Sequence, residues 1–202
     1  MSGPESGTTP TPEAPPPASN WAAPPPATAK AAGPAEGVAY ADLGIRIGAW
    51  VIDAVIYAIA FGIFAGVILS ALALTGSFIG FVIGLVLLVV LSSAFSAIYF
   101  VYTWTTMRAS PGQKVLGLET VNAADGKTLT QPQAIRRWMV LFGPLVALSA
   151  LQWLLVGSFL APLAGLANLV YLIYLIYTTN QDPKRQGFHD HYAATVVVKR
   201  AV

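Results

Sequence analysis

Four long apolar runs constrain this chain more than any other feature. They lie at about residues 47–74, 78–104, 138–156 and 159–177. Each is near or above the roughly 20 residues that an α-helix needs to cross about 30 Å of hydrocarbon. Four such runs in 202 residues are too many for a water-soluble core. Only 10% of residues are charged, against about 25% in a soluble domain. A soluble enzyme is therefore excluded. The reading is an all-α membrane protein: a four-helix transmembrane bundle built from two helical hairpins. Thr75-Gly76-Ser77 turns the first hairpin and Gly157-Ser158 the second. Pro144 and Pro162 in the shorter third and fourth runs leave a re-entrant hairpin as an alternative to two full spans.

Basic residues set the orientation. The two turns contain none. Arg108, Lys114, Lys127, Arg136 and Arg137 lie in the loop at 106–137, and Lys184, Arg185, Lys199 and Arg200 in the tail at 180–202. Lys30 and Arg46 complete the eleven, all on one side. The positive-inside rule makes that side cytoplasmic, with both termini inside a cell-membrane protein. Tyr40, Trp50, Trp104, Trp138, Tyr174 and Tyr177 suit an interfacial aromatic belt.

Residues 1–37 form an arm of different chemistry. Ten of the fifteen prolines fall within residues 1–36, and Ala, Ser, Thr and Gly fill the gaps. Such a segment is expected to be disordered or locally polyproline II. It lacks the basic start, apolar core and cleavage pattern of a secretory signal. It serves either as a plain tether or as a docking arm for a protein partner that reads proline. Residues 38–202 form the membrane domain.

Small residues mark helix contacts. Ala54, Ala58, Gly62 and Gly66 form one stripe, and Gly76, Gly80 and Gly84 another. Stripes of this kind let helices approach closely in lipid. They are expected to face each other or another helix of a dimer. Ser92, Ser96, Tyr99 and Thr103 form a polar stripe that is expected to face protein or water.

Asp53 is the most informative single residue. It sits about 10 Å into the first span, where an ionised carboxylate costs up to about 2.5–3.5 kcal/mol. It needs a partner, a proton or water. Arg46 is two helical turns earlier, about 10.5 Å along the axis, so a third group must stand between them. Asn168, Gln152 and the Ser92–Ser96 stripe are candidates. Asp53 then belongs either to a polar cluster that fixes packing or to an ion or proton site.

Outside the membrane, Val115–Val121 and Thr128–Thr130 read as a hairpin around Asp125-Gly126. Thr195-Val196-Val197-Val198 adds a third strand, giving a small cytoplasmic β-sheet. Thr130 and Gln133 form a capping box for a helix that carries Arg136 and Arg137 into the third span. His189-Asp190-His191 supplies too few ligands for a metal site. Asp190 is expected to bond an arginine or cap backbone N–H groups, with His189 packed at the interface. No nucleophile–base pair, phosphate loop or cofactor motif is present, and a net charge of +2 does not suggest nucleic acid.

Arg46-x-x-Ala49-x-x-x-Asp53, Ser110-Pro111-Gly112-Gln113-Lys114-Val115-Leu116-Gly117-Leu118, Asp125-Gly126, Arg136 and His189-Asp190 with Ala194–Val198 occur in that order. Together they resemble the RDD family of prokaryotic membrane proteins over about residues 40–200. The resemblance implies a functional cluster of Arg46, Asp53 and Asp190, matching the family's arginine and two aspartates. His189, Lys114, Arg136 and Asn168 stand beside it as candidate supporting residues. Gly112-Gln113-Lys114 departs from the Gly-Lys-Arg of many relatives. One arrangement joins these readings: Asp190 folds under the bundle and Arg46 lies between it and Asp53, one cation between two carboxylates. The resemblance suggests transport of an unidentified ligand, with no cofactor. Four spans leave little room for a pathway, so a homo-oligomer in the lipid bilayer is expected. The alternative is a membrane scaffold that holds partners through the arm and the sheet.

Overall fold

A computed structural model describes residues 38–74 and 76–200. The expectations for the Pro-rich arm lie outside the described residues. Strand β1 (Val38–Tyr40) leads into helix α1 (Leu43–Ala73), and α2 (Phe78–Thr106) returns. A short α3 (Pro111–Val115) and β2 (Leu118–Asn122) follow. Helices α4 (Gln131–Leu154) and α5 (Ala161–Gln181) form the second hairpin, and α6 (Phe188–Ala193) and β3 (Thr195–Arg200) close the chain.

All four long helices are long and apolar enough to cross a membrane. Helix α4 runs unbroken through Pro144, and Pro162 sits in the first turn of α5, where its missing N–H costs nothing. Both are continuous helices. The first and third spans start earlier than their apolar runs. At α4 the reason is local: Gln133 Oε1 accepts from the Thr130 N–H at 3.1 Å, so the helix nucleates at the capping box.

The large side chains in the outer parts of the spans face outward. Ile59, Ile63, Val67, Phe78 and Ile79 are all well exposed, as expected of a surface that meets lipid. The small-residue stripe on α1 faces outward too. Ala58, Gly62 and Gly66 are exposed, and a Cβ at Gly62 or Gly66 would touch nothing within 4 Å. That stripe does not meet the second stripe within the chain. Gly84 instead packs on the Leu72 side chain.

The tight core lies at the sheet end. Phe100, Trp104, Leu129 and Ala134 join there, with Trp138, Leu141 and Phe142 against them. Trp104 is 2% exposed and belongs to this core, not to an interfacial belt. The aromatic stack Phe100–Phe142, 4.7 Å between ring centroids, ties α2 to α4.

The sheet is antiparallel with order β1-β3-β2. Tyr40 pairs with Val198 and Thr120 with Val197. Three strands form, as expected, but residues 128–130 are not one of them; 38–40 takes the place. The turn at Asp125-Gly126 does form, with Gly126 at φ +66° and its N–H on Asn122 O at 2.9 Å. Beyond it the chain goes straight to the α4 cap, so no ladder can grow. The far edge of β2 is met by Arg108 O, which accepts from Thr120 N–H at 2.6 Å. Central β3 is covered on both faces: Val197 packs with Ala41, Ala49 and Leu118, and Val196 and Val198 with Val121. A strand buried on both faces reads as a continuous apolar run, which is why Val196–Val198 is legible.

Candidate functional site

Two buried polar clusters meet at the sheet end of the bundle. The first is centred on Asp190, in α6 and fully buried. Arg46 Nη2 of α1 donates to Asp190 Oδ2 at 2.5 Å. Arg137 Nη1 of α4 donates to Asp190 Oδ1 and to Thr195 Oγ1 at 2.6 Å. The Gly187 N–H adds a bond to Oδ2 at 3.0 Å and the Thr195 hydroxyl one to Oδ1 at 3.2 Å. Arg46 also donates to the Arg185 carbonyl. Burial alone would raise the Asp190 pKa. The two guanidinium groups outweigh it and hold the carboxyl well below the usual range.

The second cluster is centred on Asp53, 3% exposed. The Ser110 hydroxyl donates to Oδ2, the Gly112 N–H to Oδ1 at 2.8 Å and the Tyr99 hydroxyl to Oδ1 at 3.1 Å. These donors come from α2 and the start of α3. Ser110 and Gln113 cap α3 reciprocally, which fixes the donors before they meet the carboxylate. A Cβ on Gly112 would collide with the Ala49 carbonyl oxygen. Only glycine permits this approach.

The sequence-based site is thus partly joined and partly divided. Arg46 and Asp190 meet as expected. Arg46 does not lie between two carboxylates; one carboxylate lies between two arginines, and Asp53 has its own donors. Neither Asn168, Gln152 nor the Ser92–Ser96 segment bridges Asp53. Asn168 Nδ2 donates to Ser149 Oγ at 3.1 Å, joining α5 to α4. The polar stripe on α2 does face protein: Ser96 Oγ accepts from Trp138 Nε1 at 3.0 Å, and Ser92 O from the Tyr57 hydroxyl at 2.9 Å.

Lys114 and Arg136 are exposed and outside both clusters. The buried arginine of α4 is Arg137, 2% exposed. Its guanidinium lies 5.0 Å from the centre of the Trp104 ring. Residues three or four apart share a helical face; Ala134 and Leu141, three before and four after Arg137, both belong to the core against α2, so Arg137 shares that face and Arg136 does not. Arg136→Gln should therefore change stability by less than about 0.5 kcal/mol, and Arg137→Gln far more. Thermal melts of both variants in detergent check this.

His189 is buried beside Asp190, with its Nε2 3.4 Å from Asp190 Oδ2. Burial holds its pKa down to about 3, with Asp190 opposing and the two arginines assisting. An unfolded histidine titrates near pH 6.5. Stability from this group is therefore full above about pH 6.5 and falls as pH drops toward 3, because the unfolded chain takes up the proton first. Melting temperature should fall between pH 7 and 5, and His189→Gln should flatten that fall. An unchanged slope would remove His189 as its cause.

Between the clusters lies a cavity of about 230 Å³. Arg46, Asp53, Arg137 and His189 contribute to its wall at the sheet end, and Phe142 and Leu172 are among its apolar lining. The fold and site define a class: an integral membrane protein of four apolar spans, with a small sheet tied to one end by a buried ion network. The model of the RDD family matches residues 40–194, and the chain belongs to that family. No curated protein and no solved structure matches it.

Proposed function

We propose that the chain carries ions or a small solute across the cell membrane, with the cavity as its binding chamber and Asp53 as a polar ligand in the wall. The observation that carries this reading is the placement of a buried carboxylate, the buried Arg137 and the part-buried Arg46 in the wall of one cavity among apolar helices. Ionisable groups at this depth are costly and are most often tied to passage or binding. The reading is not enzymatic. The sheet end faces the cytoplasm, on the strength of the eleven basic residues on that side. A homo-oligomer supplies the space that four spans lack, and the Pro-rich arm binds a protein partner.

One observation favours a second reading. The Asp53 carboxylate already accepts three hydrogen bonds, as an architectural group does. In that reading the chain is a membrane scaffold. Flux of Na⁺, K⁺ and H⁺ in proteoliposomes separates the two. Transport predicts flux from the wild type that drops at least tenfold in an Asp53→Asn variant of unchanged melting temperature. A well-folded wild type without flux supports the scaffold, and deletion of residues 1–36 should then release its partners.

A further inference from the structure

The short helix α6 has its polar residues inside and its aromatic residues outside. His189 and Asp190 face inward and are buried, with Ala193 beside them. Phe188 and Tyr192 face outward, 41% and 59% exposed. They are four residues apart and so share one side of the helix. A helix at a water surface has the opposite arrangement, with its apolar stripe toward the core. The inward face is explained by the ion cluster, where Asp190 holds Arg46 and Arg137. His191, at the edge of the outer face, pairs with Asp182 at 2.9 Å. The two exposed aromatic rings have no such explanation if water lies outside.

The place of α6 along α5 fixes its depth. The Phe188 ring lies 5.7 Å from the Tyr174 ring, and the Phe188 N–H donates to Thr178 Oγ1 at 3.2 Å. Tyr174 precedes Gln181, the end of α5, by seven residues, about 10 Å along the axis. Helix α6 therefore folds back beside the span instead of projecting beyond it. The 21 residues of α5 make about 31 Å of helix, little more than the roughly 30 Å of hydrocarbon to be crossed. The boundary of the hydrocarbon then falls in the last turns of α5, level with Phe188. Ile173, Tyr174 and Tyr177 of α5 are exposed, and the lipid-facing surface of that span runs on without a break into the outer face of α6.

We infer that α6 lies in the headgroup–acyl boundary of the sheet-side leaflet, with Phe188 and Tyr192 set into lipid. Helices at that boundary bury their apolar side about 5–10 Å deep. Tyrosine suits the level, since its ring is apolar and its hydroxyl can stay wet. The segment that carries Asp190 is then held from two sides, by the arginines of α1 and α4 within and by the bilayer outside. The inference uses only the membrane spans and does not depend on transport.

Collision measurements on spin labels in vesicles test it. The chain has no cysteine, so a single Tyr192→Cys label reports one place. Lys127→Cys, at a lysine with an 81% exposed side chain, is the water reference. Ile173→Cys on the exposed side of α5 is the lipid reference. The full chain is reconstituted in phosphatidylcholine vesicles. Each label is exposed to oxygen, which concentrates in lipid, and to a nickel chelate, which stays in water. The ratio of oxygen to nickel collisions at Tyr192→Cys should lie between the references and at least fivefold above Lys127→Cys. Phe188→Cys is the second site and should give the same order. Both side chains face outward, so melting in detergent should be unchanged. A ratio at either site equal to that of Lys127→Cys places α6 in water and overturns the inference. Few collisions with either probe would mean that protein, such as a second copy of the chain, covers the face, and would overturn it too.

Discussion

Asp190→Asn should cost about 3–5 kcal/mol, the usual penalty for removing one member of a buried ion cluster. Two guanidinium groups, Arg137 at 3% and Arg46 at 10% side-chain exposure, are held by this one carboxylate. Asparagine is close in size, so packing is unchanged, but the only buried negative charge between the arginines is gone. The Gly187 N–H and the Thr195 hydroxyl lose a charged acceptor as well. Loss should concentrate where Asp190 joins chain segments: α1, α4 and the tail. Unfolding in mixed micelles, with proteolysis of residues 182–200 as a second readout, measures it. The pH dependence has a definite sign. The folded carboxyl lies well below its ordinary pKa, so its contribution is complete at neutral pH. It is lost only as pH falls below about 4 toward the depressed value.

Gly112→Ala should be of similar size for a different reason. The new methyl would lie 2.9 Å from the Asp53 carboxyl carbon and closer still to the Ala49 carbonyl oxygen. The latter is helix backbone and cannot turn aside. Helix α3 must move off α1, which adds about 1–3 kcal/mol of overpacking. The bond from the Gly112 N–H to Asp53, 2.8 Å, is stretched or lost, a further about 1.5–3 kcal/mol for a charged acceptor. Gly44→Ala is the control. It lies in α1, and a Cβ there would meet nothing within 4 Å, so it should be neutral or slightly stabilising. Melting temperatures of the two variants, measured side by side, decide it; equal values would mean that α3 does not press on α1.

What could be read beforehand follows from the range of each signal. The four spans were legible because apolar length belongs to one segment and needs no partner. The central strand was legible because burial on both faces leaves three consecutive valines. Strand β1 was not, since Val38–Tyr40 is too short for any period to show. Arg46 and Asp190, 144 residues apart, came together only through the family resemblance, for nothing local pairs them. The choice between Arg136 and Arg137 needed the phase of α4 against α2, which a run of two arginines does not reveal. Asp53 was recognised as needing a partner, and Tyr99 of the polar stripe is one, but its other two donors, Ser110 and Gly112, sit at the start of a helix that reads as a turn. Ser110-Pro111-Gly112 looks like a loop until its cap with Gln113 is seen.

The central claim is that one buried carboxylate from the tail joins α1 to the sheet end of the bundle. A double-mutant cycle on Arg46 and Asp190, using Arg46→Gln, Asp190→Asn and the pair, tests it most directly. A direct buried pair should give a coupling of about 1–3 kcal/mol. Once Asp190 has lost its charge, removing Arg46 should cost nothing more, or should restore stability by relieving the surplus positive charge. Losses that simply add would mean that Arg46 and Asp190 do not meet, and the buried network at the sheet end would fall with them.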